Sequence, residues 1–171
     1  MNSIERLQNL PDHSRVWIYV ADRSLDASEA QRLVEHLDAF CTGWRSHGRP
    51  VSSAATVIEG RFAVIAGEIL DGDISGCGID ASVHALDRAA EELDVQWLPA
   101  LAVHFREEDG TIRSVSRPEF RKLVHAGRIS STTSVFDVSI QTLGELRDGK
   151  FEQPAGSTWH DRAFRLSASE V

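Results

Sequence analysis

The first hundred residues alternate between segments typical of β-strands and segments typical of amphipathic helices. Residues 15–21 are rich in branched and aromatic side chains, which predicts a buried strand. From residue 30 to residue 44, apolar side chains recur at three- and four-residue spacing, which predicts a helix. Residues 51–58 and 61–67 flank a two-residue turn containing Gly60 and predict a hairpin.

A second helix and a further strand complete this pattern. Apolar residues between positions 79 and 93 repeat at spacings of 4, 3, 4 and 3, and residues 101–105 have strand character. The resulting order β-α-β-β-α-β matches the split βαβ arrangement of ferredoxin-like folds. We therefore predict an α+β fold over residues 1–106, with a ferredoxin-like βαββαβ antiparallel sheet and both helices on one face.

The rest of the chain, residues 107–171, has a weaker pattern. It predicts a hairpin strand at 111–115, a short helix at 118–125 and an extended segment at 149–159. A chain of 171 residues fits one domain. We therefore predict a single domain over residues 1–171, with the C-terminal extension packed on the core.

Aromatic residues on the predicted strands raise the question of what covers the second face of the sheet. We expect Trp17, Tyr19 and His104 to project away from the helices, so the C-terminal segment or a second subunit must cover them. In the tail, Trp159 and Phe164 either anchor the segment on its own domain or contact another copy. A homodimer formed through the sheet or the C-terminal tail is therefore one prediction.

Charge and composition restrict the partners and the compartment. Lys and Arg number 18 and Asp and Glu number 26, so the net charge of −8 makes nucleic acid an unlikely partner. No apolar stretch approaches the roughly 20 residues that a membrane helix needs. Two cysteines form no disulfide framework and the N-terminus does not resemble a signal peptide, so we expect a cytoplasmic protein. Nucleic-acid binding stays open only if four arginines cluster on one face: Arg113, Arg117, Arg121 and Arg128.

The most distinctive local feature is the Gly-rich stretch around Cys77, which opens directly onto the second predicted helix. Glycines let the backbone approach a ligand closely, and the N–H groups at a helix N-terminus attract anions. The same partial charge favours the thiolate of Cys77, which makes it a candidate nucleophile with Asp80 as orienting group or general base. The candidate ligand-binding residues, for a small anion, are Ser75, Gly76, Gly78 and Ser82.

An ordinary structural role explains the same residues. Gly-rich loops often only turn, and a buried Cys77 behaves as a small apolar side chain. Ser75, Asp80 or Ser82 is then the residue that caps the helix. Both interpretations stay open at this point.

The histidines give no support to a metal site. All seven are scattered without H-x-x-x-H or H-x-H spacing, and there is no C-x-x-C pair, so we predict neither a metal nor a cofactor. A nucleophilic Cys77 would need a base, and three histidines supply one only if the fold brings them close: His47, His104 and His160.

Four stretches of the chain stand out as a group. They are Ser14-Arg15-Val16-Trp17-Ile18-Tyr19, Trp44-x-x-His47-Gly48, Ser75-Gly76-Cys77-Gly78-Ile79-Asp80-Ala81-Ser82-Val83 and Ser157-Thr158-Trp159-His160. Together they resemble an uncharacterised family of small bacterial proteins, common in the Bacteroidetes, whose members are sometimes labelled "ABC transporter ATPase". The resemblance covers nearly the whole chain.

That label implies a chemistry that this sequence does not support. Such an ATPase needs a G-x-x-x-x-G-K-[ST] loop, whose backbone cradles phosphates and whose lysine reaches the terminal ones. Lys122 stands in Phe-Arg-Lys-Leu and Lys150 in Asp-Gly-Lys-Phe, and neither fits. We therefore predict that the chain is not an ATPase.

A second, shorter resemblance concerns the C-terminal third. Residues 123–129, followed by 132–136, are similar in rhythm to the second half of small GYF-like peptide-binding modules. This implies a protein-interaction element, although an ordinary helix–strand unit gives the same rhythm.

With no complete catalytic set visible, the leading prediction is a non-enzymatic binding or protein-interaction domain. The alternative is a small-molecule-binding protein or thiol-dependent enzyme centred on Cys77.

Overall fold

The computed structural model describes residues 3–70 and 72–166 and combines helices with antiparallel strands, which confirms the predicted α+β class. In chain order, the elements are β1 Arg15–Val20, α1 Ala27–Gly43, β2 Arg45–Ser46, β3 Arg49–Pro50, β4 Ser52–Ile58, β5 Phe62–Glu68, α2 Gly76–Leu93, β6 Val103–Arg106, β7 Ile112–Val115, α3 Arg117–His125, β8 Ser134–Phe136, α4 Leu143–Arg147, β9 Glu152–Pro154 and α5 Trp159–Phe164. Two 3-10 helices, Ser3–Leu7 and Ala155–Ser157, are also present.

The chain divides into two compact units. The first consists of residues 1–98 with 141–147, and the second of residues 99–140 with 148–171. The single domain over 1–171 stays a prediction, because compact units occur within domains as well as between them. The end of the predicted extension, from residue 167 onward, lies outside the described residues.

Local signals in the sequence set the boundaries of the first unit's elements. Asp26 and Glu29 form a capping box at the start of α1, in which each side chain accepts a hydrogen bond from the other's backbone N–H. Glu59 and Gly60 both have positive φ, of 57° and 61°, which suits the tight hairpin between β4 and β5. A side chain at position 60 would also meet the carbonyl oxygen of Leu25 at 2.7 Å, so only glycine fits there.

The sheet of the first unit has the strand order β1-β5-β4, and all its pairs are antiparallel. Trp17 pairs with Ile65 and Tyr19 with Ala63, so these four side chains share one face. That face packs into the core cluster formed with α1 and α2. The expectation that Trp17 and Tyr19 project away from the helices is therefore wrong.

Both aromatic residues have partners within this core. The ring of Trp17 lies edge-on to that of Trp44, with centroids 5.8 Å apart. The ring of Tyr19 lies edge-on to that of Trp97 at 6.3 Å. Neither needs a second subunit to cover it, and a homodimer stays a prediction.

The second face of this sheet is also buried. The residues of β5 that alternate with the helix-facing ones are fully buried: Phe62, Val64 and Ala66. The 3-10 helix Ser3–Leu7 packs along β4. The guanidinium of Arg147, at the end of α4, donates to the carbonyl oxygens of Leu7 and Leu10 at 3.0 and 2.8 Å. The N-terminal segment and α4 are thus joined on one side of the unit.

The outer edge of β1 shows where the structure departs from a ferredoxin-like sheet. The N–H of Leu98 donates to the carbonyl of Val20 at 2.8 Å, and the N–H of Val16 donates to the carbonyl of Gln141 at 3.0 Å. These two bridges lie at opposite ends of β1, and the chain leaves the first unit between them. In the described part of the chain, no continuous fourth strand joins this sheet.

The predicted fourth strand belongs instead to the second unit. It corresponds to β6, which lies in a separate antiparallel sheet of order β7-β6-β8-β9. Ser116 caps helix α3, because its hydroxyl accepts from the N–H of Glu119, and Pro118 lies in the first turn of the helix. The buried side chains of α3, this sheet and α5 form one core, which includes Phe105, Phe120, Leu123, Val135 and Phe164.

Two glycine substitutions test the packing of the first unit. A Cβ on Gly67 would lie 2.9 Å from the Trp44 ring and 3.1 Å from Val51, so Gly67→Ala should destabilise the protein by about 1–3 kcal/mol. A Cβ on Gly76 meets nothing within 4 Å, so Gly76→Ala is the matched control and should be neutral or slightly stabilising. Denaturant midpoints measure both, and equal midpoints would contradict the close approach at Gly67.

Candidate functional site

The predicted site around Cys77 forms the first turns of α2. The Ser75 hydroxyl caps this helix and accepts from the N–H of Gly78 at 3.2 Å. Ser46, from β2, donates its hydroxyl to the Ser75 hydroxyl at 2.8 Å and accepts from the Ser75 N–H at 2.8 Å. The two serines satisfy each other, so Ser75 already has protein partners.

Gly78 and Ser82 are buried under the helix. The Gly78 carbonyl accepts from the Trp44 indole at 2.8 Å, and a Cβ there would lie 3.0 Å from Ile74. The Ser82 hydroxyl donates to the carbonyl of Ile79 at 2.6 Å. Burial raises the pKa of Tyr19, and its hydrogen bond with Ser82 partly opposes that shift. Gly78 and Ser82 therefore serve helix packing in this arrangement.

The remaining predicted residues face outward. Gly76, Cys77 and Asp80 are exposed, and Cys77 and Asp80 are three residues apart on the same helix. The six predicted site residues are neighbours in the sequence. The structure divides them between a side of α2 that packs on the protein and a side that is exposed. Their roles as nucleophile, base and anion ligands stay predictions.

Thiol labelling tests the placement of the two cysteines. Cys77 is exposed, whereas Cys41 is half-buried and burial raises the pKa of its thiol. Ellman's reagent should therefore react with Cys77 at least about tenfold faster than with Cys41 in the native protein. Cys77→Ser should remove the fast phase and Cys41→Ala should keep it. A single slow phase that appears only on unfolding would contradict this placement.

A second group of polar and aromatic residues lies in the second unit, around Trp159. This residue starts α5 directly after Thr158, whose hydroxyl caps the helix. The Trp159 side chain is 36% exposed, and its ring stacks on that of His160 with centroids 3.8 Å apart. The Arg117 guanidinium lies over the indole at 5.2 Å, and the indole N–H donates to Asp137 at 3.3 Å. Trp159 is thus exposed but held by three neighbours.

A groove lies next to this ring. It has a volume of about 500 Å³ and is lined by Thr158, Trp159, Asp161, Arg162 and Ala163. We call the groove together with Trp159, Arg117 and Asp137 the Trp159 surface. Such a surface offers an aromatic side, charged ends and enough room for a side chain of a partner.

His160 supports the Trp159 surface from inside. It is fully buried, its Nδ1 shares a hydrogen bond of 2.7 Å with the Thr158 hydroxyl, and its Nε2 has no partner in the described part of the chain. Burial lowers its pKa to about 4, which Asp137 partly opposes and Arg117 reinforces. His160 is therefore neutral at physiological pH.

Comparison with known proteins leaves these sites without a precedent. No known family, curated protein or solved structure matches this chain. Among residues 3–70 and 72–166, no group of three or more His, Cys, Asp or Glu side chains is arranged to hold a metal ion. Of the helices in that part of the chain, none has the length and apolar character needed to cross a bilayer.

Part of the Trp159 surface is visible in the sequence and part is not. The sequence shows Trp159 as an aromatic residue in a polar tail. It shows His160 as one of three histidines that would serve as a base for Cys77 if the fold brought them close. Arg117 and Asp137 were not linked to it, because they lie 42 and 22 residues away along the chain. The available signal was the spacing of Arg117 and Arg121, which places two guanidinium groups on one side of α3.

The titration of His160 predicts a pH dependence of stability. Its pKa is about 4 in the folded state and 6.5 in the unfolded chain, so the unfolded chain binds more protons between these values. Stability should fall as the pH drops through this window, by about 2 kcal/mol between pH 6.5 and about pH 4.5. His160→Phe should remove this loss, and His125→Gln, at an exposed histidine, should retain it.

Denaturant unfolding at several pH values measures the effect. Nuclear magnetic resonance of the His160 ring provides a second measurement if His160→Phe folds poorly. A ring that becomes protonated near pH 6.5 in the folded protein would contradict the buried, neutral state.

Proposed function

We propose that this protein is a non-enzymatic protein-interaction domain whose second unit binds a segment of a partner on the Trp159 surface. The observation that carries the proposal is an exposed indole held in place by a guanidinium, a carboxylate and a buried imidazole. Trp and Arg dominate the binding energy of many interfaces, because they bury a large area with few rotatable bonds. An indole that is fixed in advance loses little entropy on binding.

The arrangement of the second unit supports the same proposal. Its order of hairpin β6–β7, helix α3, and strands β8 and β9 suits the short resemblance to GYF-like peptide-binding modules noted in the sequence. Trp159 and the groove are contributed by α5, which follows these elements. Three features thus occur in one unit: a compact scaffold, an exposed aromatic and a groove.

The lysines support the further proposal that the chain is not an ATPase. Lys122 lies in the second half of α3. Lys150 follows Gly149 between α4 and β9. A phosphate-binding loop needs its lysine at the start of a helix, after a Gly-rich turn that follows a strand. The resemblance to a family labelled as ATPases is therefore best understood as a likeness in sequence and not in activity.

Three finer predictions belong to the same proposal. The order β1-β5-β4 with α1 and α2 on one face suits a ferredoxin-like first unit whose fourth strand is interrupted. A cytoplasmic location suits the two unpaired cysteines, Cys41 and Cys77. Membership of the small bacterial family is proposed on the four stretches of sequence that resemble it.

The alternative function, centred on Cys77, has one favourable observation. The thiol is exposed in the first turn of an 18-residue helix, where the helix dipole favours negative charge. A small anionic ligand or a thiol-dependent reaction would use this position together with Asp80. Labelling of Cys77 that stays fast well below neutral pH would favour this alternative over the Trp159 surface.

Selection of peptides on the immobilised full chain tests the leading proposal. Peptides enriched on the wild-type protein from a random display library should lose at least about thirtyfold in affinity for Trp159→Ala, as expected for a central aromatic. Leu101→Ala is the matched control, because Leu101 is the other exposed large apolar side chain of the described second unit. It should leave affinity unchanged.

A second variant separates lost contacts from lost structure. Ala163 is exposed and lines the groove, so Ala163→Gln should fill the groove without disturbing the core. It should weaken the same peptides while the thermal midpoint stays at the wild-type value. Peptides that bind Trp159→Ala and Ala163→Gln as tightly as wild type would refute the proposed surface.

A further inference from the structure

We propose that the segment bound by the Trp159 surface is extended and acidic, with two carboxylates on alternate residues that pair with Arg117 and Arg121. This inference rests on the proposed function, and it names the chemistry of the partner. It is carried by two guanidinium groups that lie over aromatic rings and that form no ion pair with a carboxylate of residues 3–70 and 72–166.

The two arginines lie on successive turns of α3, four residues apart. The guanidinium of Arg117 lies 5.2 Å from the centroid of Trp159, and that of Arg121 lies 5.5 Å from the centroid of Phe164. The two rings below them are themselves 6.2 Å apart. Trp159 and Phe164 therefore form one aromatic platform under both positive charges.

A guanidinium over an aromatic ring makes a good receptor for a carboxylate. The ring attracts the cation and restricts its motion, while the N–H groups at the edge of the guanidinium remain free to donate. Two of these N–H groups match the two oxygens of a carboxylate. The order imposed by the ring reduces the entropy that binding would cost.

The charges of Arg117 and Arg121 are available for a partner. No ion pair involves either guanidinium in residues 3–70 and 72–166, and the buried Nε of Arg117 has no hydrogen-bond partner there. Two other arginines of the same unit do have carboxylates, since Arg106 pairs with Glu152 and Arg113 with Glu107. Arg117 and Arg121 thus lie over the aromatic platform with no ion pair to a carboxylate of residues 3–70 and 72–166.

The spacing of the platform indicates an extended segment. Alternate residues of a β-strand point to the same side and lie about 6.6–7 Å apart. This is close to the 6.2 Å between the two rings that lie under the guanidinium groups, so we expect carboxylates at alternate positions to reach both. An apolar side chain further along the segment can then cover the exposed part of Trp159.

The distribution of charge favours an acidic peptide over nucleic acid. The second unit contains nine Lys and Arg residues and nine Asp and Glu residues, so it has no net charge to attract a long polyanion. The first unit has nine Lys and Arg residues against seventeen Asp and Glu residues. The local pair Arg117 and Arg121 is positive, and it suits a ligand with two negative groups.

Fluorescence anisotropy of the full chain with a labelled peptide provides the test. The probe contains Ser-Glu-Ser-Glu-Ser-Leu between Gly-Ser flanks, and its control has Gln in place of both Glu residues. We expect the Glu peptide to bind about tenfold or more tightly than the Gln peptide, with an advantage that shrinks as salt is added. Arg117→Gln and Arg121→Gln should each remove most of this advantage, and the exposed Arg128→Gln should retain it.

The other outcomes separate this inference from the proposed function. If selected peptides depend on Trp159 but are not acidic and bind Arg117→Gln normally, the inference is wrong and the proposed function stands. If no peptide depends on Trp159, the proposed function itself fails. Tighter binding of a single-stranded DNA oligonucleotide than of the Glu peptide would overturn the inference in favour of nucleic acid. Self-association abolished by Arg117→Gln would replace the peptide with a second copy of the chain.

Discussion

Backbone hydrogen bonds along the outer edge of β1 determine how the whole chain is organised. A strand edge that is left unpaired costs free energy and invites association. Here residues 96–98 pair with one end of β1 and residues 141–143 with the other. The chain must therefore return to the first unit after residue 140, and residues 99–140 form part of the second unit between these two segments. Residues 99–140 contribute β6, β7, α3 and β8 to the second unit, and β9 adds the last strand of its sheet after residue 148.

The stretch around Cys77 shows that close packing and ligand binding place the same demand on the sequence. Gly78 lies where Trp44 donates to its carbonyl and where Ile74 and Ser46 leave little room for a Cβ. Close approach of a ligand and close approach of a neighbouring segment require the same residue, because both need the space of a missing side chain. Only the three-dimensional neighbours distinguish the two cases. At Gly78 the neighbour is the protein itself, whereas Cys77, one residue earlier, faces outward.

Local signals predicted much of the fold, and non-local pairing accounts for what they missed. The strand at β1, the long helix α1, the Glu59-Gly60 hairpin and α2 follow from periodicity, caps and turn residues, and these act within a few residues. The predicted side of the sheet for Trp17 and Tyr19 was wrong, because the side depends on the partner residues that they oppose. The prediction that β6 joins the sheet of β1 was wrong, because the sequence of a strand does not specify the sheet in which it pairs. In the same way, Trp159 was visible as an unusual residue, but its contacts with Arg117 and Asp137 were not.

The separation of charge between the two units changes what the composition implies. Averaged over the chain, a net charge of −8 argues against any anionic partner. That entire excess belongs to the first unit, since acidic and basic residues balance in the second. Within the second unit, Arg106 and Arg113 lie over aromatic rings and also pair with carboxylates. Arg117 and Arg121 lie over rings as well, but neither pairs with a carboxylate of the described residues. An aromatic ring holds a guanidinium without cancelling its charge, whereas a carboxylate does both. The proposed partner chemistry therefore follows from the two arginines that pair with no carboxylate in the described part of the chain, and not from the sum of the charges.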